Sequence, residues 1–432
     1  MNRIVVDISK TSGEIKPVNA VNNGPSGTSV RGISNFEEYR ALEIPYARNH
    51  DASFYANYGG EHTVDVHRIF KNFDADETDP ASYVFESTDQ YTQAILAAGT
   101  KVFYRLGASI EHGYKYGTYP PRDFLKWARI CEHIIRHYTE GWADGFTHDM
   151  PYWEIWNEPD LDSDDSNHKR TWGVVKTEFF DFYEIAAKHL KGCFPHLKIG
   201  GPALAYREDW AEEFLCEMQK RNVPIDFFSW HIYAATPEAV LKKAKDIRAI
   251  MDRNGYTQAE SILNEWNYLR GWTDEYVYNL EMIHGIKGAA YVMSVLSEAQ
   301  KSSIDMLMYY DTRPSVFNGA FDFYTLHPLK GYYPLKWYGE FYDLENEVRA
   351  ENSIKEIYSL CGVDKDGKVL AIITHYSDND QKEDVQIRVE LKKDVEYDVY
   401  LLDKDHDGEY IKTTSDLTFE MPVHSAIMIK EI

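Results

Sequence analysis

Cysteine is scarce. The 432 residues contain four, Cys131, Cys193, Cys216 and Cys361, and no two lie at the close spacing of a zinc site or a redox motif. Free buried thiols are expected, with no metal and no cofactor. Positive charge is also short: 46 Lys and Arg against 70 Asp and Glu leave a formal charge of −24. Such a surface repels phosphate backbones and anionic lipid head groups, so nucleic-acid and membrane partners are disfavoured. No apolar run approaches the ~18 residues of a membrane span. The first ten residues hold one three-residue apolar run, too short for a secretory leader. A cytoplasmic protein is expected, although a chain whose leader had been removed would read the same. No low-complexity tract is present, and no Gly-rich phosphate loop follows an apolar run.

What remains is a balance of 44% hydrophobic and 27% charged residues, that of a large globular enzyme. Aromatics are in excess. The 32 Tyr, 20 Phe and 10 Trp exceed what packing alone requires, and rings with a polar tip suit a site for flat, hydroxylated ligands.

From about residue 15 to 311 a pattern repeats: a short apolar run, a polar connection, then a stretch of helical period. Strands are predicted at 15–21, 44–49, 101–106, 152–156, 197–201, 226–231, 261–264 and 306–310, and helices at 122–138, 171–191, 209–221, 237–253 and 274–298. Eight strands alternating with helices fit an α/β fold of the (β/α)8 TIM barrel type. An open doubly wound sheet is the competing reading, weakened by the missing phosphate loop. Beyond residue 312 the pattern turns to strands at 368–375, 385–391, 397–402 and 426–429, with Asp-Gly turns at 364–367 and 403–408. The expected division is a catalytic barrel over 15–312, a β-sandwich over 313–432, and an N-terminal strand within 1–14 that joins the sandwich.

The strongest local feature is Trp153-Glu154-Ile155-Trp156-Asn157-Glu158-Pro159, an apolar strand whose last side chains reach the catalytic rim of a barrel before proline stops it. If Glu158 points into the pocket, alternation points Trp156 and Glu154 inward beneath it, with Glu154 a buried partner rather than a catalyst. Strand seven ends in the same manner, at Asn264-Glu265-Trp266-Asn267. Two carboxyl groups on opposite walls are what glycosidic cleavage needs, one protonated to release the leaving oxygen and one ionised to receive the sugar carbon. Spacing alone equally allows two ordinary strand-end carboxylates, solvated or paired with Arg.

Trp156-Asn157-Glu158-Pro159 and Asn264-Glu265-Trp266-Asn267 resemble the acid/base and nucleophile motifs of clan A glycoside hydrolases. Tyr46-Ala47-Arg48-Asn49-His50-Asp51 and Asp226-Phe227-Phe228-Ser229-Trp230-His231-Ile232-Tyr233 resemble strands two and six of glycoside hydrolase family 39. The resemblance implies that Glu158 is the general acid/base and Glu265 the nucleophile of a retaining mechanism, and that Asn157 binds the 2-hydroxyl of the sugar. It also implies that His231 and Tyr233 orient Glu265 or bind sugar hydroxyls.

Further candidates rest on position. His50 ends strand two, where it contacts a sugar hydroxyl or is a buried structural histidine. Arg48 is expected to pair with Glu154 or Glu265. Trp266, Trp272, Tyr268, Tyr310 and Phe317 fall in or near rim loops, and Asp311 and Arg313 follow strand eight within reach of the sugar. Asp403-Lys404-Asp405-His406-Asp407-Gly408 copies the start of a calcium loop, but Thr414 occupies the twelfth position, where a bidentate Glu is required, so a hairpin turn is expected. His133 and His137 read as an exposed helix face, and the acidic run 160–165 as solvated.

The function implied is an O-glycoside hydrolase, a retaining exo-glycosidase acting on an oligosaccharide or glycoside, with β-D-xylosidase first. The other activities in the family, on arabinofuranosyl or other arabinosyl, glucosyl and α-L-iduronosyl linkages, remain alternatives, as does a non-catalytic carbohydrate-binding protein. Xyloside comes first because an anionic uronide would need dedicated cations, for which Arg270 and Arg313 are the candidates. A homo-oligomer is compatible with the sequence.

Overall fold

In the computed structural model, which describes residues 2–28, 33–51, 53–55, 59–110, 118–315, 317–344, 346–392 and 395–432, eight parallel strands close into a barrel. In chain order they are Ala20–Asn22, Tyr46–Arg48, Lys101–Leu106, Tyr152–Ile155, Lys198–Leu204, Phe227–Ala234, Glu260–Tyr268 and Met306–Tyr309. The ring closes where Met308 of the last strand pairs with Ala20 of the first. All eight fall on predicted apolar runs, and helices fill the connections, as a TIM barrel requires.

The strand period of two sorts the barrel interior into layers. Ala20, Phe103, Tyr152, Phe227, Ile262 and Met306, with Met308 and Tyr46, form an apolar cluster of their own. Two residues further along the same strands stand Asn22, Arg105, Glu154, Ser229 and Asn264, and two beyond Tyr46 stands Arg48, all fully buried. The apolar layer therefore floors the barrel, and a polar layer lies above it, toward the end where the strands finish.

The helices follow from caps and stripes. Pro237–Arg253 starts with Pro237 at its first position and Thr236 as N-cap, and buries Val240, Ala244, Ile247, Ile250 and Met251 on one face. Phe124–Thr139 is capped by Asp123, which accepts from the Lys126 N–H at 2.9 Å. His137 on this helix is buried, in correction of the exposed face expected. Its ring stacks on Phe85 at 3.6 Å and it bonds Asp89 at 3.1 Å and the Trp142 carbonyl at 2.9 Å. The stretch predicted as one helix over 274–298 is two, Tyr276–His284 and Ile286–Gln300, because Gly285 adopts an extended conformation between them.

The C-terminal domain is a single curled sheet of nine strands. Its eight C-terminal strands run from Asn346–Glu351 to Ser425–Glu431, and the ninth is the N-terminal strand Asn2–Glu14, which pairs antiparallel with Asn346–Glu351 and parallel with Val385–Glu390. Alternation assigns its two faces. Leu360, Leu370, Ile372, Ala426 and Met428 join the barrel core. Their neighbours Cys361, Ala371, Ile373, Ile427 and Ile429 face a second core with Ile4, Ile387 and Val399. Burial on both sides makes Val369–His375 an unbroken buried run. The turn at 403–406 joins two hairpin strands, and the Lys330 ammonium bonds the Asp403 and His406 carbonyls and Asp407, at 2.8, 3.0 and 2.6 Å. The segment is thus the hairpin turn expected, with a lysine against its carbonyls.

The domains are tied by a polar cluster beside the end of strand seven. Asp378 of the sheet domain accepts from the Tyr268 hydroxyl at 2.7 Å and from Arg270 Nε at 3.0 and 2.9 Å, and lies 3.1 Å from Lys287 Nζ. No described helix is long and apolar enough to cross a membrane.

Candidate active site

Strands four and seven deliver their terminal glutamates to one cavity of about 670 Å³ at the strand ends. Alternation on strand four stops at Trp156, whose φ is 74°, and Glu158 takes φ 49°. This left-handed turn sends Trp156 outward, in correction of the inward orientation expected. Its indole packs against Trp172 and Phe182 at 5.1 and 5.5 Å, and its Nε1 donates to the Thr171 carbonyl at 3.2 Å. Gly107 makes room for that ring, since a Cβ there would stand 2.9 Å from Trp156 Cε3. The same turn lifts Glu158 over the barrel mouth, held by its N–H to the Ala203 carbonyl at 2.9 Å and by the Thr171 hydroxyl to its own carbonyl at 2.5 Å.

Beneath the glutamates, Arg48 organises the polar layer. Its Nε donates to Glu154 at 2.7 Å, Nη2 to Asn157 Oδ1 at 2.7 Å, and Nη1 to Asn22 at 3.1 Å and Glu265 at 3.4 Å. The other Glu154 oxygen accepts from Ser229 at 2.6 Å and Asn264 at 2.5 Å. Both oxygens of this buried side chain are therefore satisfied. With Oδ1 fixed by Arg48, the Asn157 Nδ2 is buried without a partner among the described residues.

The catalytic-end groups contact one another. His231 Nδ1 stands 2.9 Å from Glu158 Oε1 and 3.6 Å from Glu265 Oε2. The Tyr233 hydroxyl donates to Glu265 Oε1 at 2.6 Å. An oxygen of Glu158 and an oxygen of Glu265 lie within 4.8 Å of each other. These three side chains have donor atoms close enough to hold a cation, but the Arg48 guanidinium already supplies a positive charge there.

Burial, reinforced by Asp160, pushes the Glu158 carboxyl up to about 8. Burial and then the Glu158 charge raise Glu265 as well, opposed by Arg48 and by the Tyr233 hydrogen bond. Burial lowers His231 to about 4, so its imidazole is neutral at pH 7. Glu158 thus holds its proton near neutrality, while Glu265, also raised by burial, has the Arg48 cation and the Tyr233 donor on its charged form.

The cavity also takes in His50, Tyr310, Trp272 and Phe317. His50 Nδ1 accepts from Arg105 Nε at 3.2 Å, which leaves Nε2 as the protonated nitrogen, 3.5 Å from Asp51. Tyr310 donates to Asp51 at 2.6 Å. Trp272 is 57% exposed and meets the Tyr233 ring edge-on at 5.0 Å, a wall that a sugar face can use.

Two proposed contacts are corrected. Trp266 is fully buried and turned from the cavity, against Tyr291 and Tyr309 at 5.9 and 5.6 Å, because the strand register shifts between Leu263 and Glu265, so that Asn264 and Glu265 both face inward and Trp266 faces out. Asp311 is fully buried behind the wall, where it accepts from Asn23 at 3.1 Å and faces Arg313 at 3.6 Å. Tyr268 is likewise committed to Asp378. The acidic run is not simply solvated. Asp160 is buried and accepts from the N–H groups of Ala205, Tyr206 and Arg207 at 2.7, 3.0 and 3.0 Å, and Asp162 binds Arg170 through Nε and Nη2. Arg105, Asp51, Arg170, Tyr206 and Lys243 are site residues that sequence reasoning missed. Only Lys243 left a signal, a charge within an otherwise apolar helix stripe.

The family profile of glycosyl hydrolases family 39 matches residues 23–333. A β-xylosidase of Geobacillus stearothermophilus is 25% identical over 303 residues, covering 60% of this chain and 56% of the relative. A β-xylosidase of Caldicellulosiruptor saccharolyticus is 28% identical over 188 residues, covering 41% and 36%. The match thus spans little more than half of the first relative's length. Among solved structures, a glucosidase of Croceicoccus marinus has a TM-score of 0.81 at 19% identity, covering 100% of this chain and 99% of its own. A monomeric β-xylosidase of Caulobacter crescentus has 0.69 at 16%, with the same coverage. At these identities the structures speak for the fold.

Proposed function

The chain belongs to glycosyl hydrolases family 39, and from that premise we propose that it is a retaining exo-glycosidase, a β-D-xylosidase acting on plant-type oligosaccharides or glycosides. The observation that carries this reading is the spacing of the two carboxyls, an oxygen of each within 4.8 Å of the other. Retention places the carboxyl groups about 5 to 5.5 Å apart, whereas inversion needs roughly 6.5 to 9.5 Å to admit a water.

In the first step Glu158 gives its proton to the glycosidic oxygen as the bond to the sugar C1 breaks, and Glu265 attacks C1 to form a glycosyl ester. In the second, water attacks C1, its proton passes to Glu158, and the Glu265 carboxylate is released. The unpartnered Nδ2 of Asn157 suits the sugar 2-hydroxyl, and the Nε2 of His50 suits a neighbouring hydroxyl. Arg48 and Tyr233 stabilise the carboxylate that Glu265 must present and later regain.

A neutral sugar is favoured because both arginines considered for a uronide are committed, Arg270 to Asp378 and Arg313 to Asp51 and Asp311. We take 15–312 as the catalytic unit, with 1–14 and 313–432 as its accessory domain. Four thiols free of disulfides suit a reducing compartment, so we place the enzyme in the cytoplasm.

A panel of aryl glycosides tests the reading: β-D-xyloside, α-L-arabinofuranoside, α-L-arabinopyranoside, β-D-glucoside, β-D-galactoside and α-L-iduronide. The xyloside should be cleaved fastest, with the β-anomer of xylose first to appear by proton NMR. A different preferred glycoside would overturn the xylosidase assignment alone. Cleavage of none would favour a carbohydrate-binding protein.

A further inference from the structure

The cavity has two unlike walls. Beside Glu265 the wall is aromatic, formed by Tyr233, Trp272, Tyr310 and Phe317. Beside Glu158 it is formed by the connections after strands four and five and by the helix Pro237–Arg253, and it contains two cations, Arg170 and Lys243.

Lys243 is the unusual member. It lies in the buried stripe of its helix, one turn from Val240 and Ile247, and is 9% exposed. Its ammonium makes one hydrogen bond, to the Tyr206 carbonyl at 2.9 Å. Among the described residues no carboxylate lies within 4.0 Å of it. The nearest acidic influences are Asp160, already engaged by three backbone N–H groups, and the exposed Glu208. A buried ammonium is ordinarily matched by a carboxylate, because the lost hydration of a lone charge is large. Two of its three N–H donors are unused among the described residues. Arg170 offers a second incomplete set: Nε and Nη2 bind Asp162, and Nη1 has no bond among the described residues.

We propose that this wall binds an aglycone carrying a carboxylate, whose oxygens accept from Lys243 Nζ and Arg170 Nη1. The proposal rests on the glycosidase reading, since it is the proton donor Glu158 that fixes which wall the leaving group faces. The sugar itself stays neutral; the acid is on the group released. A uronic acid and an aromatic acid present the same chemistry.

Two matched pairs of β-D-xylosides separate these sources: 4-carboxyphenyl against its methyl ester, and xylosyl-glucuronic acid against xylosyl-glucose. For each pair the ratio of kcat/KM, acid over neutral, is measured in the wild type, Lys243→Met and Lys243→Arg. A charge-assisted contact predicts that the ratio falls roughly tenfold or more in Lys243→Met and is largely kept in Lys243→Arg. In the wild type the ratio should also fall as salt is raised. A response in the aryl pair alone identifies an aromatic acid, and one in the disaccharide pair alone a uronic acid. If the neutral xylosides are cleaved and neither substitution nor salt changes either ratio, the acidic aglycone is overturned while the glycosidase stands. If no member of either pair is cleaved by the wild type, the β-D-xylosidase assignment falls and takes this proposal with it. Should Lys243→Met fail to fold, the wild-type salt series and Lys243→Arg decide.

Discussion

The Tyr233 hydroxyl donates to Glu265 Oε1 at 2.6 Å across two adjacent strands. Strand register produces this contact: His231 stands opposite Glu265, and Tyr233 follows two residues later on the same side. The bond stabilises the charged form of Glu265. Tyr233→Phe should therefore raise the carboxyl's pKa and move the acid limb of kcat/KM to higher pH. A loss of roughly tenfold to a hundredfold in kcat is expected from removing one hydrogen bond to a charged group. A pH–rate profile of the variant checks both.

The proton on Glu158 sets the opposite limb. With its carboxyl pushed up to about 8 by burial and Asp160, activity should fall as pH rises through that value and the acid is lost. Asp160→Asn removes a negative neighbour, so the alkaline limb should move to lower pH. The same change leaves fewer acceptors for three backbone N–H groups, and thermal unfolding should register a loss of about 1–3 kcal/mol. An alkaline limb that stays in place would separate Glu158 from Asp160.

Two tryptophans near the same strand end should behave differently. Trp272 is on the cavity wall and Trp266 is packed behind it. Trp272→Ala is expected to raise KM for aryl glycosides with a smaller effect on kcat and little change in melting temperature. Trp266→Ala opens a core cavity, which typically costs about 3–5 kcal/mol. Steady-state kinetics beside calorimetry of the two variants distinguishes these outcomes.

Arg48 holds four partners, Glu154, Asn157, Asn22 and Glu265. Arg48→Met removes one partner of the fully buried Arg48–Glu154 pair, for which losses of about 3–5 kcal/mol are usual. Arg48→Lys restores the charge but not the fork that reaches Glu154, Asn157 and Glu265 together. Denaturant unfolding should rank wild type above Lys above Met, and turnover should be low in both variants.

The barrel was legible because each strand carries a short, largely apolar run and some helices carry caps, as at Asp123 and Thr236. Glu158 and Glu265 were legible because both end such runs. Orientation was less so. Trp156 follows inward alternation in sequence but turns outward, since a left-handed backbone at that residue cannot be read from Trp-Asn-Glu. Trp266 misled because the register shift at Asn264 turns both Asn264 and Glu265 inward, and such a break in the period of two is not written in the residue types. Partners distant in sequence were invisible, including Arg105 beneath His50, Asp160 under the following loop, and Asp378 of the sheet domain on Arg270. Lys243 could have been suspected, as a lone cation among Val240, Ala244 and Ile247. Burial also changed the reading of His137, whose aromatic partner Phe85 comes from a segment about fifty residues away.

The account stands on Glu265 as the group that bonds to the sugar and Glu158 as the one that moves the proton. The most direct measurement is turnover of an aryl β-D-xyloside by Glu265→Ala with and without azide, with the product's anomeric configuration read by NMR. The variant alone should be inactive. Azide should restore release of the aglycone and yield the α-xylosyl azide, inverted relative to the substrate, because the small anion enters where the carboxylate stood. Unaltered hydrolysis by Glu265→Ala, or recovery with a β-configured azide, would contradict the assignment.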